Sequence, residues 1–169
     1  MSTTTVHPPG SDQAASRPLN PKMILPFVRS TQNVLATMVR IEATIGKPFI
    51  KADPVASYDV SGIIGFSGSM LGSVIITMQM AVAQKLVASF TGMDIPTDSP
   101  DFVDAIGELA NMIAGSAKKD LEAGANISVP TVIVGAGHVI ARLSGVPCIV
   151  IPCHTPAGDF AIEVNIKPQ

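Results

Sequence analysis

Three helix-start signals stand in a row at Ser99-Pro100-Asp101, and they set the frame in which the rest of the chain is read. A serine N-cap satisfies an orphan amide, a proline in the first helical position has no amide to lose, and an early aspartate meets the positive end of the helix dipole. From there Val103, Ile106, Ala110, Ile113, Ala117 and Leu121 recur every three or four residues. This spacing predicts a long amphipathic helix that closes near Gly124. Past that glycine the sequence turns β-branched, and strands are expected over 127–134, 138–143, 146–153 and 160–167, the last two joined by the turn Thr155-Pro156-Ala157-Gly158. In the last strand Phe160, Ile162, Val164 and Ile166 alternate with Ala161, Glu163, Asn165 and Lys167, the pattern of a half-buried strand.

The first half repeats the order of helix then strands. Val28, Thr31, Leu35, Met38, Ile41 and Ile45 predict a helix over 27–45, ended by Gly46 and Pro48. A hairpin follows, with arms 58–66 and 71–78 around Ser67-Gly68-Ser69, and then a shorter helix over 80–90 closed by Gly92. Residues 1–21 have almost no large apolar side chain and read as a disordered leader, leaving one folded domain over 22–169. The expected class is α+β: two long helices and a shorter one on a mostly antiparallel sheet, with a weak internal duplication that matches Gly46 to Gly124.

Charged residues are only 14% of the chain, against about 25% in a typical soluble domain, while apolar residues are 47%. That imbalance points to a homodimer that buries part of the apolar surface. The net charge of −2, with Lys118-Lys119 the only basic doublet, argues against a nucleic-acid partner. No apolar run approaches the roughly 18 residues needed to span a bilayer, so a cytoplasmic chain without membrane insertion is expected. Cys148 and Cys153 lie five apart on one predicted strand, hence on opposite faces, and read as buried free thiols rather than a disulfide or metal pair.

On the Ser99 helix, Asp104, Glu108, Asn111, Gly115 and Lys118 fall within about 80° of each other, opposite the apolar stripe. Glu108 and Asn111 are one turn apart on that exposed side. Gly107, Ala114 and Gly115 flank them with little bulk, and a glycine inside a helix, costing about 1 kcal/mol, usually has a packing or functional reason. His138 and His154 sit in or beside β segments with no acidic neighbour in sequence and read as structural or solvent-exposed.

The segment Asp104-Ala-Ile-Gly-Glu108-Leu-Ala-Asn111-Met-Ile-Ala-Gly115 resembles the signature helix of the CheC/CheX/FliY phosphatases of bacterial chemotaxis, and Pro130-Thr-Val-Ile-Val-Gly135 and the closing hairpin resemble its CheX branch. Overlaying the two halves sets Ser30 against Glu108 and Asn33 against Asn111, so the first helix lacks the acidic residue and one active helix per chain is expected. The resemblance implies hydrolysis of the aspartyl phosphate on a CheY-type receiver. In that scheme Asn111 positions water and Glu108 pairs with a receiver lysine. Asp104, Gly107, Gly115 and Lys118 are the expected partner-binding positions. No cofactor or metal is implied on this chain, and Mg2+ is expected in the partner receiver. The rival expectation is a non-catalytic receiver-binding adaptor or a flagellar-switch-like structural module.

Overall fold

The computed structural model of the protein describes residues 19–121 and 123–169, so residues 1–18 of the expected leader lie outside the described residues. Leu19 to Pro21, assigned above to the leader, instead begin the fold. Asn20 is the N-cap of α1 (Pro21–Val34), its side-chain oxygen accepting from Lys22 N–H at 3.1 Å. The helix starts six residues earlier than its apolar spacing suggested. Pro26 lies in its second turn, where it costs one helical hydrogen bond and its ring is buried.

The same helix also stops early. Leu35–Val39 winds as one π turn, Arg40 closes it in the left-handed conformation (φ 61°), and two short strands follow, β1 (Thr44–Ile45) and β2 (Phe49–Lys51). Ile41 and Ile45 therefore belong to the chain's turn into the sheet and not to a helical stripe. The hairpin forms as expected, β3 (Val60–Gly68) and β4 (Met70–Met78), with Gly68 supplying the positive φ of the turn (80°). The short helix α2 (Met80–Thr91) is closed by Gly92, and α3 (Pro100–Lys118) starts at Ser99, whose hydroxyl accepts from Asp101 N–H. α3 ends six residues before Gly124, so Leu121 lies beyond it.

Of the later β segments, 127–134 is two strands, β5 (Ala125–Ile127) and β6 (Thr131–Val134), divided at Pro130, which has no amide to give to a ladder. Residues 138–143 form a loop with a single bridge, Val139 to Val55, rather than a strand. β7 (Cys148–Thr155) and β8 (Gly158–Pro168) close the sheet. Its order is β1-β7-β8-β4-β3-β5, all pairs antiparallel, with β2 also on β7 and β6 also on β3. Three helices on one antiparallel sheet give the expected α+β class.

All three helices cover one face, where Phe27, Phe102, Ile106, Val74, Ile162 and Val164 are among the core side chains. The other face is also buried, contrary to the half-buried reading of β8. Glu163 and Asn165 do point away from the helices, but the 52–59 and 135–147 loops fold over them. Asn165 receives Leu143 N–H at 2.7 Å and donates to Val146 O at 2.9 Å, while Glu163 binds Lys51, Ser57 and Arg142. A buried polar face is stable only when its groups find partners in this way. Among the described residues no helix is long and apolar enough to cross a membrane.

Candidate functional site

The sheet sets the height of α3 through two glycines. A methyl group on Gly62 of β3 would lie 2.9 Å from the Ala110 Cβ, and one on Gly107 of α3 would lie 3.1 Å from Pro130 Cγ. Both contacts need a missing side chain, so the helix backbone rests almost directly on β3 and on the segment between β5 and β6. Ile106, Ala110, Ile113 and Ala117 are buried as their spacing predicts, while Val103 is half-buried. On the flank of α1 that faces α3, the Ser30 hydroxyl donates to Ile113 O at 2.6 Å and ties the two helices together.

With its floor fixed, α3 turns Asp104 and Glu108 to solvent and leaves Asn111, Gly115 and Lys118 half-buried along the same side. Gly107 does not share that surface. It is buried beneath Pro130, so its lack of bulk serves packing within the chain, which corrects its assignment to the docking ridge. Ala114 is likewise buried, and Gly115 has the Ile127 side chain 3.7 Å from where its own would begin. Among the described residues no hydrogen bond or ion pair engages the side chains of Asp104, Glu108 or Asn111. An unengaged carboxylate and carboxamide one turn apart can take a cation and a water from outside without first giving up partners.

Ser30, the counterpart of Glu108 in the overlay of the halves, is buried and bonded to α3. The first helix therefore offers no exposed side chain at the position matching Glu108, although Asn33 is exposed.

The histidines resolve separately. His138 Nδ1 lies 2.6 Å from Gly135 O, a pure acceptor, so that nitrogen carries a proton, and Nε2 is hydrogen-bonded to the Ser61 hydroxyl at 2.8 Å. Ser61 is completely buried and bonds Thr77 behind it, so this serine and histidine moor a loop. His154 does have an acidic neighbour, Asp159, 2.9 Å away across the β7–β8 register, a partner that spacing along the chain did not suggest. Both are more than half exposed, and a surface pair of this kind contributes little.

Sequence reading also missed the largest charge cluster among the described residues. Glu163 accepts from Lys51 Nζ at 3.0 Å, from Arg142 Nη2 at 2.8 Å and from both the amide and hydroxyl of Ser57. Burial alone would raise its pKa, but hydrogen bonds from Ser57 and Lys51, with the charges of Lys51 and Arg142, outweigh it and hold the carboxyl below its ordinary value. It lies on the sheet face away from α3 and belongs to the scaffold. Cys148 and Cys153 are buried free thiols, pushed up to about 11 and about 12 by burial. Among the described residues there is no cluster of three or more His, Cys, Asp or Glu able to hold a metal ion.

Known proteins share this fold. The family model described as chemotaxis phosphatase CheX matches residues 60–154, which include all of α3. A chemotaxis protein CheX from Desulfovibrio desulfuricans superposes with a TM-score of 0.78 at 36% identity, covering 88% of this chain and 99% of that one. The CheY-P phosphatase CheX of Thermotoga maritima is 27% identical over 153 residues, 88% of this chain and 98% of that protein. A CheX of Borrelia burgdorferi, solved in complex with CheY, BeF3 and Mg2+, superposes with a TM-score of 0.72 at 25% identity over 86% of this chain and 97% of that one.

Proposed function

The chain belongs to the CheX family of chemotaxis phosphatases, and from that premise we propose that it hydrolyses the aspartyl phosphate of a CheY-type response regulator through Glu108 and Asn111. The observation that carries the reading is the pair itself: a carboxylate and a carboxamide one turn apart on the outer side of a rigidly seated helix, neither engaged by another described residue. The relatives support the partner. One is a CheY-P phosphatase, and another was solved bound to CheY with Mg2+.

An acyl phosphate is already reactive, so the phosphatase has to place water in line and exclude other geometries. The Asn111 carboxamide accepts a hydrogen from that water and directs its lone pair at phosphorus. Attack forms the new P–O bond, the bond to the aspartyl oxygen breaks with its electron pair on the leaving carboxylate, and the water's proton passes to phosphate or solvent. Glu108 takes a lysine of the receiver, anchoring α3 and removing a cation that would otherwise steady the phosphoryl group. Mg2+ belongs to the receiver and needs no ligand from this chain. Asp104 and Lys118 border the contact, and the reaction belongs where CheY-type receivers are, in the cytoplasm. The same reading takes the working unit to be a homodimer, supported by the low charge content and by Phe49 and Ile50 exposed on β2.

Single-turnover dephosphorylation at saturating protein tests the roles. Asn111→Ala is expected to slow the rate by about 10²-fold or more with binding intact, and Glu108→Ala to weaken binding as well, a charge-assisted contact being worth about 1.5–3 kcal/mol. A wild-type protein that binds activated receivers but leaves their phosphate in place would make it the adaptor.

A further inference from the structure

The segment joining β5 to β6 runs beside Asn111. Gly107, Asn111 and Gly115 follow one another at four-residue spacing along α3, with Gly107 turned inward. Gly115 faces Ile127 and Gly107 faces Pro130, so residues 128 and 129 pass the helix at the level of Asn111. Val129 is 83% exposed, the highest value for a large apolar side chain among the described residues. A single exposed valine is ordinary in itself. This one is clamped from both sides.

Ser128 N–H donates to Gly65 O at 2.9 Å, the Ser128 hydroxyl accepts from Gly65 N–H at 2.9 Å and donates to Val129 O at 2.8 Å. On the other side, Pro130 has a fixed φ and is seated on Gly107. The backbone is held in place while the valine side chain points into solvent, and a contact group that is already ordered loses little entropy when a partner covers it. Its surroundings specify the partner: Asp101, Asp104 and Glu108 are all exposed along the N-terminal half of α3. The surface therefore offers an apolar spot beside a row of carboxylates, and fits a partner face that sets an apolar side chain next to a lysine.

We infer that Val129 is the apolar anchor of the receiver-docking surface, seated against an apolar side chain of the receiver next to its phosphorylation site. The inference rests on reading α3 as the receiver-binding helix. Val129 acts on association, whereas Asn111 acts on the chemical step, and the two are separable.

The experiment titrates CheY-type receivers, activated with beryllofluoride and Mg2+, into wild type, Val129→Ser and Val139→Ser by calorimetry. Val139 is a matched control, 62% exposed but carried by the loop on the opposite face of the sheet. Val129→Ser is expected to weaken binding about ten-fold, the scale of burying most of a valine, and to leave the single-turnover rate at saturation within about two-fold. Val139→Ser is expected to bind as wild type does. Equal binding by Val129→Ser and wild type overturns the anchor and leaves the role of α3 standing. Failure of the wild type to bind any activated receiver overturns both.

Discussion

Glu163→Gln changes one atom type at the centre of the buried charge cluster, and its cost can be worked from the contacts. One Glu163 oxygen accepts from Ser57 N–H at 3.1 Å, the Ser57 hydroxyl and Lys51 at 3.0 Å, and the other accepts from Arg142 at 2.8 Å. Glutamine keeps an acceptor for the first group but turns an NH2 donor toward the Arg142 guanidinium. Lys51 and Arg142, whose side chains are 14% and 12% exposed, are left without an anion. Breaking a buried pair by removing one partner costs about 3–5 kcal/mol. Here the lower end applies, because Arg142 retains Asp53 O at 2.6 Å and both cations keep some water. A loss of about 3 kcal/mol corresponds to a fall in Tm of about 10 °C for a chain of this size.

The pH dependence gives the sharper test. Glu163 titrates below its ordinary 4.5 in the folded protein, so its contribution is fully present above that value and drains away as pH falls through the depressed folded pKa. Urea unfolding of both proteins should show the full gap at about pH 7 and a shrinking gap below about pH 4.5. Activity at 25 °C should be unchanged, since the cluster lies across the sheet from α3. A gap under about 1 kcal/mol at neutral pH, or one that is constant down to about pH 3, would refute the reasoning.

Ser30→Glu should not create a second site on α1. It removes the bond to Ile113 O and buries a carboxylate without a cation, so thermal melts should show a loss of about 3 kcal/mol or more, whereas an unchanged Tm with added activity would contradict this. Thiol reagent at pH 8 should leave the folded protein nearly unlabelled, because values of about 11 for Cys148 and about 12 for Cys153 leave little thiolate; both should react in urea, and rapid labelling without denaturant would count against their burial. Light scattering at micromolar concentration should report a particle near twice 17.5 kDa, and a strict monomer would remove the homodimer from the proposal.

What the sequence disclosed followed the range of the interactions concerned. α3, α2 and the β3–β4 hairpin were legible because caps, glycines and periodicity act over a few residues. The Glu108–Asn111 pair was legible for the same reason, since one helical turn sets it. α1 was misplaced because apolar spacing registers neither the Asn20 cap at its start nor the π turn at its end, and β1 and β2 are too short to show a period. Glu163 and Asn165 looked like a solvent face because the loops that cover them come from residues about 20 and 110 positions away, beyond any local pattern. Gly107 suggested an open ridge until Pro130, distant along the chain, was seen to occupy the space.

The position of β8 bears on how the molecule comes apart. β3 and β4 carry β5 and β6 as one ribbon, β7 carries β1 and β2 as another, and among the described residues the only ladder joining the two ribbons passes through β8. Detaching β8 would split the sheet into two pieces, with α3 left on the β3 piece alone. In native-state hydrogen exchange its amides should therefore report the global opening free energy, while those of β1 and β2 exchange through local fraying. α3 sits on the β3 side of that seam, so a rim that frays at β1 and β2 leaves the geometry around Asn111 undisturbed.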